Sequence, residues 1–323
     1  MVRATAVVSF FLGLTFAGHA GIAATIFVTN EKDNTVTVID SDTLKVLKTI
    51  KVGRRPRGII TAPDHKEVFV CLGDDDNVAV IDTAKLEVTR HLDSGPDPEL
   101  MAVDPKGERL YIANEDDAEV TVMDRNSGDA LARVQVGVEP EGMAVSPDSR
   151  LTVATSETTS MAHFLDNASL KLVANVLVDT RPREATFTPD GSKVWVSSEV
   201  GGTVAVVDAK TFKTVKTVEF AIPGISPDLV QPIGIRFSKD GKLAFVALGP
   251  ANRVAVIDAS TYEVKTYILV GQRPWHLELH PDGSKLYVAN GLTNDMTIID
   301  VPSLKAEKSI PVGRLPWGVA IMP

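Results

Sequence analysis

Seven positions, each one residue past a proline, hold Arg57, Glu99, Glu141, Arg183, Ile233, Trp275 and Trp317. The next position in each case holds Gly58, Leu100, Gly142, Glu184, Gly234, His276 and Gly318. A guanidinium grips carboxylates and other anions through paired N–H donors. Carboxylates gathered at one point can hold a hard cation such as Ca²⁺ or a lanthanide ion, which wants many oxygen ligands. Indole rings supply rigid contact area with one polar edge. If the chain brings these positions together, Arg57, Glu99, Glu141, Arg183, Glu184, Trp275, His276 and Trp317 form a mouth for a ligand or a partner. Glu99, Glu141 and Glu184 are then the candidate metal ligands, with Asp97, Glu139 and Glu157 nearby. Arg57, Arg181 and Arg183 stand among these carboxylates, so ion pairing is expected ahead of metal binding.

The elements that must position these residues are written in a repeat. The prolines Pro56, Pro98, Pro140, Pro182, Pro232, Pro274 and Pro316 follow one another at steps of 42, 42, 42, 42, 50 and 42 residues. Asp40, Asp82, Asp124, Asp166, Asp208, Asp258 and Asp300 take the same steps in the same order. Two independent columns in one register mean seven copies of one structural unit. Each copy reads as four strands: after Pro274, WHLELH, a Pro281-Asp282-Gly283 turn, KLYVAN, MTIIDV and LKAEKSIPV. A four-stranded unit of this length is one propeller blade. The expectation is an all-β, seven-bladed β-propeller with four-stranded antiparallel blades. TIFVTN, at Thr25, matches a second strand, and WGVAIM, at the C-terminus, matches a first strand. The C-terminal strand should therefore join the N-terminal three and close the ring, which removes exposed sheet edges.

Strand direction alternates within a blade. The loop before a first strand and the loop between the second and third strands therefore share one face. The second of these loops adds the column Glu31, Gly73, Glu115, Glu157, Glu199, Gly249 and Gly291. The strand cores are near-interchangeable, whereas the mouth differs from blade to blade, as binding requires. The longer step comes from FAIPGISPDLVQP, a loop expected to cover this face.

The remaining residues narrow the function. Residues 1–24 read as a secretory signal: Arg3, a short apolar run, then small residues at Gly21, Ala23 and Ala24. Residues 25–323 form the propeller, expected in the periplasm, and no later segment could span a bilayer. A net charge of −9 argues against nucleic acid, which needs a basic face. Cys71 stands alone in VFVCLG and is expected in the core. The histidines form no repeated ring, so a multi-histidine copper or zinc centre is not expected; His65 and His280 read as surface residues. No nucleophilic triad or phosphate-binding glycine loop is recognisable, and a non-enzymatic protein without a resident cofactor is expected.

FVTN at Phe27, YIAN at Tyr111 and YVAN at Tyr287, each followed by a VID-like strand, resemble the YVTN family of β-propeller repeats. The stretches NEKDNTVTVID, SGPDPEL, YIANEDD, VGVEPEGM, TSETTSMAHFLD, SSEVGGTV, ALGPANRVAVID and GRLPWGV are similar to the exported seven-repeat propellers associated with PQQ-dependent alcohol catabolism. The resemblance covers the whole mature chain. It implies a periplasmic accessory protein working beside quinoprotein dehydrogenases and an ABC transport system, and it brings no established activity or ligand. The favoured reading is a non-catalytic binding or scaffold propeller that uses the mouth. A lactonase-like hydrolase using Glu141, Arg183 and His276 is one alternative, and a Ca²⁺- or lanthanide-binding protein is another.

Overall fold

The computed structural model describes residues 24–323, so the expected signal segment lies outside the described residues apart from Ala24. The repeat folds as read. Twenty-eight strands form seven four-stranded antiparallel sheets. Six blades are built from consecutive strands. Blade one is built from both ends of the chain: Pro316–Met322 lies beside Thr25–Asn30, followed by Thr35–Asp40 and Val46–Lys51. The closing pair runs from Thr25 opposite Met322 to Asn30 opposite Pro316. Blades two to seven begin at Pro56, Pro98, Pro140, Pro182, Ile235 and Pro274.

The landmark aspartates are turn residues. Asp40 Oδ1 accepts the backbone N–H of Thr43 at 2.7 Å, and each of the other six accepts the N–H three residues on. This side-chain-to-backbone bond fixes the tight connection between the third and fourth strands. Burial follows from position in the ring. Middle strands such as Glu67–Leu72 touch a neighbouring blade on both faces and read as unbroken apolar runs. Outermost strands such as Val46–Lys51 lie mostly in water. Seven apolar clusters result, each spanning the junction of two adjacent blades. The last of them holds Ile26 and Val28 of blade one against Tyr287 and Met296 of blade seven.

The innermost strands carry the feature that builds the site. In six blades the ladder shifts just after the landmark proline: Pro140 faces Ser156, but Met143 already faces Ala154. Three steps on one strand answer two on its partner, which is a β-bulge, a device that re-aims side chains. The bulges also bring neighbouring blades into backbone contact. A Cβ at Gly318 would lie 2.6 Å from the Arg57 carbonyl oxygen, and one at Gly234 would lie 2.7 Å from that of Trp275. Hence the glycines at Gly58, Gly142, Gly234 and Gly318. Hydroxyls staple the contact: Gly318 N–H donates to Thr29 Oγ1 at 2.8 Å, and that hydroxyl donates to the Arg57 carbonyl at 2.9 Å. Thr155 and Ser197 make the equivalent links.

The long loop differs from expectation. Phe220, Ile222 and Ile225 pack on the apolar cluster between blades five and six, and Ala221 N–H donates to the Tyr267 hydroxyl. Its three prolines and apolar residues fold it against the flank, and Gln231 reaches Arg273 at the mouth.

Removing residues 316–323 uncovers an edge at Thr25–Asn30 and strips the cluster around Ile26. The truncated chain should lose its cooperative thermal transition and associate at rising concentration in light scattering. A truncated protein that stays monomeric with an unchanged Tm would contradict ring closure.

Candidate functional site

The two loops expected on one face meet there. The Glu115 N–H donates to the Asp97 carbonyl, that of Glu157 to Glu139, and that of Glu199 to Arg181, each bond within its own blade. The bulged residues project from this rim towards the axis. Six bulged residues, with Ile233 of the sixth blade, converge on a narrow axis and leave little room for solvent. Glu99 is fully buried, and Glu141, Arg183 and Trp317 are nearly so. Arg57 and Trp275 are half-buried. The mouth expected to be open is a plug.

The plug is an ion-pair lattice with two Arg-Pro-Arg clamps. Arg55 and Arg57 flank Pro56, and both reach Glu99 of the next blade. Arg57 Nη1 lies 2.8 Å from Glu99 Oε1, and Arg55 also holds Asp97 at 2.9 Å. Arg57 Nε donates to Glu31 at 3.0 Å. Arg181 and Arg183 flank Pro182, and both grip Glu157. Arg183 also faces Glu141 at 3.1 Å and Glu199 at 3.7 Å. Arg273 completes the arc, 2.6 Å from Glu199. The aromatics lie against the same cations. The Arg273 guanidinium sits 4.4 Å from the Trp275 ring centre, and Trp275 stacks on Trp317 at 6.2 Å. The glycines of the second loop column are seats for this bulk. A Cβ at Gly291 would lie 2.5 Å from Trp275 Nε1, and one at Gly73 would lie 2.6 Å from Asp97 Oδ1.

Burial and the crowding of carboxyls together set the proton affinities. Five guanidiniums (Arg55, Arg57, Arg181, Arg183, Arg273) face eight carboxyls: Glu31, Asp74, Asp97, Glu99, Glu115, Glu141, Glu157 and Glu199. The surplus is three, and three carboxyls are pushed up. Burial, then the Glu99 carboxylate, raises Asp97. The same two causes carry Glu115 up to about 8. Burial lifts Glu141 well above the ordinary range against the pull of Arg183. Burial also disfavours ionised Glu99, but Arg57 and Arg55 outweigh it and hold that carboxylate below its usual value. The metal candidates do not form one set. Glu99 has Asp97 and Glu115 as carboxyl neighbours within 4.8 Å, with Arg55 bound among them. Glu184 instead lies deeper, held by Arg236, by the Ile235 N–H at 2.7 Å and by His276 Nδ1 at 3.4 Å.

The eight sequence-selected residues therefore split by depth: Arg57, Glu99, Glu141, Arg183, Trp275 and Trp317 in the plug, Glu184 and His276 beneath it. Arg55, Arg273, Arg236 and Glu278 were not singled out. Arg-Pro-Arg at two landmark prolines was the available signal for Arg55. A charge at an inward position of an innermost strand was the signal for Arg236 and Glu278. His280, expected at the surface, is buried beside Asp282 at 2.8 Å, while His65 is exposed. Cys71 is buried as expected. Among the described residues, no helix is long and apolar enough to cross a membrane.

Folded Glu115 keeps its proton up to about pH 8, and the unfolded chain only to about 4.5. Between those values the folded state binds more protons, so this group's contribution to stability falls as pH rises. Glu115→Gln is fixed in the neutral form. Its Tm should match wild type near about pH 5 and exceed it near about pH 8.5. A difference that stays constant with pH would contradict the assignment.

Comparison with known proteins completes the description. A family model described as "Lactonase, 7-bladed beta-propeller" matches residues 165–306, and one described as "Cytochrome D1 heme domain" matches residues 63–185. No curated protein matches the chain. Hydrazine synthase of Kuenenia stuttgartiensis is 20% identical at a TM-score of 0.78, over 90% of this chain and 99% of that one. A candidate 6-phosphogluconolactonase of Bacteroides fragilis is 20% identical at 0.78, over 93% and 98%. The dihydro-heme d1 dehydrogenase NirN, solved with DHE, is 16% identical at 0.68, over 91% and 74%. At these identities the likeness is one of fold: the chain is a seven-bladed β-propeller, and the two family models match overlapping parts of its ring.

Proposed function

We propose that this is a non-catalytic periplasmic binding or scaffold propeller, accessory to PQQ-dependent alcohol catabolism, that docks a partner on its mouth face. The observation that carries the reading is the compensated plug. Each mouth guanidinium is bound to carboxylates, so the groups a hydrolase needs free are committed to one another. The plug presents to solvent the half-exposed Arg181 and Asp74, and part of Trp275, which lies against Arg273. Arginine and tryptophan are the side chains that most often anchor protein interfaces. The sequence resemblance supports a quinoprotein dehydrogenase or a component of the associated ABC transport system as the partner.

The lactonase-like reading comes second. The family match over residues 165–306 favours it, and Glu141, Arg183 and His276 would be its polar groups. All three are at most 4% exposed, which leaves a lactone no route to them from the mouth. A Ca²⁺ or lanthanide ion would have to displace Arg55 from Asp97 and Glu99.

The test is surface-immobilised binding to the purified periplasmic quinoprotein alcohol dehydrogenase of the same organism. Wild type should bind. The double variant Arg181→Ala/Trp275→Ala should bind at least about tenfold more weakly, with Tm kept within about 3 °C. No binding by wild type, or equal binding by the variant, would defeat the docking reading. Hydrolysis of sugar lactones by wild type, lost in Glu141→Gln, would favour the hydrolase.

A further inference from the structure

Beneath the plug the axis is not filled. The positions two past each landmark proline alternate glycine with bulk, and only Leu100, Glu184 and His276 bring side chains inward there. Between them and Trp317 lies an enclosed cavity of about 50 Å³. It shares Ile60, Met101, Met143, Glu184 and Arg236 with a larger chamber of about 460 Å³. That chamber is lined by the later residues of the innermost strands and by Pro147 and Pro189, which lie in turns at their far ends. It therefore opens on the face opposite the mouth. Its size is that of a small-molecule site, and apolar walls with a few converging polar groups are the usual composition of one.

The polar groups converge where the two spaces meet. Arg236 pairs with Glu184 and, through Nε, with Glu278 at 2.8 Å. Two carboxylates against one guanidinium leave a surplus negative charge. His276 does not offset it. Burial holds His276 below its usual value against the opposing pull of Glu184, so the ring is neutral at pH 7. Glu184 stays ionised: burial opposes this, but Arg236 and His276 bring it down to about 2. With Nδ1 directed at Glu184, His276 Nε2 is the bare, accepting nitrogen. It is buried, and it has no hydrogen-bond partner among the described residues. The Trp317 ring, 4.1 Å from the His276 ring, forms part of the same wall.

We propose that the axial channel is a second binding site, entered from the face opposite the mouth, for a small organic ammonium compound with an apolar body. The ammonium group sits where the two spaces meet, beside the Glu184–Arg236–Glu278 group whose surplus negative charge attracts it, and donates to the unpartnered His276 Nε2 near the Trp317 ring. The apolar body lies along Ile60, Ala102 and Met143. The negative charge of the whole chain draws cations towards it.

The test is titration calorimetry of the mature protein at neutral pH with n-butylammonium, n-butanol and butyrate as probes. n-Butylammonium should give a saturable one-to-one isotherm, and the two isosteres should not. Glu278→Gln should weaken it at least about tenfold. Ala102→Leu, which fills the chamber and leaves every charged group in place, should weaken it similarly, so the site remains testable if the first variant fails to fold. No isotherm with n-butylammonium, equal binding of n-butanol, or undiminished binding in both variants would overturn the proposal.

Discussion

A guanidinium with 5% of its side chain exposed is tolerable only if its charge is answered on all sides. Arg183 meets that constraint with Glu141, Glu157 and Glu199, drawn from one strand and two loops of two blades. The rest of the mouth follows the same rule. Four of the five cations serve two or more carboxyls, Arg273 serves Glu199 alone, and burial and repulsion drive Asp97, Glu115 and Glu141 towards the neutral form. The lattice draws its members from six blades, in two ion-paired groups, at one end of the axis, where a propeller would otherwise have a funnel.

The lattice exists because the backbone delivers its members to one place. Ring closure by Pro316–Met322 fixes the spacing of the seven blades, and the bulge at six of the innermost strands turns successive side chains towards the axis. Backbone contact between bulges forces glycine at four of seven positions, which empties the layer beneath the plug. A charged, closed face and an open chamber of mixed polar and apolar lining at the other end are thus two consequences of one geometric device. Binding at the first would be between proteins, and binding at the second would be of a small molecule.

The fold was legible because its signal is redundant. The Asp40 column, the Pro56 column and the FVTN-like strands each report the same period, and each has a local cause: a capped turn, a strand start or a doubly buried strand. The site was half legible. Position alone marked Arg57, Glu99, Glu141 and Arg183 as neighbours, because the blade period places them on one ring. It could not give depth. Glu141 and Glu184 stand only one step apart in the two columns, yet one reaches Arg183 above and the other Arg236 below, since successive residues of a bulge diverge. Nor could the period show which carboxyl meets which guanidinium. Arg55 belongs to the lattice through its left-handed backbone, φ 53°, which a linear reading does not reveal. The eight-residue insertion misled for a related reason: its place in the chain says where it starts, while Phe220, Ile222 and Ile225 decide where it packs.

The central claim is that buried ion pairing, not an open pocket, defines the mouth. A double-mutant cycle on Arg183→Met and Glu157→Gln, read by denaturant unfolding at neutral pH, addresses it most directly. The account predicts that Arg183→Met alone costs about 3–5 kcal/mol, because it strands buried carboxylates, and that adding Glu157→Gln recovers part of the loss, a coupling of about 1–3 kcal/mol. Single variants within about 0.5 kcal/mol of wild type, with additive effects, would mean that Arg183 is solvated and the mouth is open.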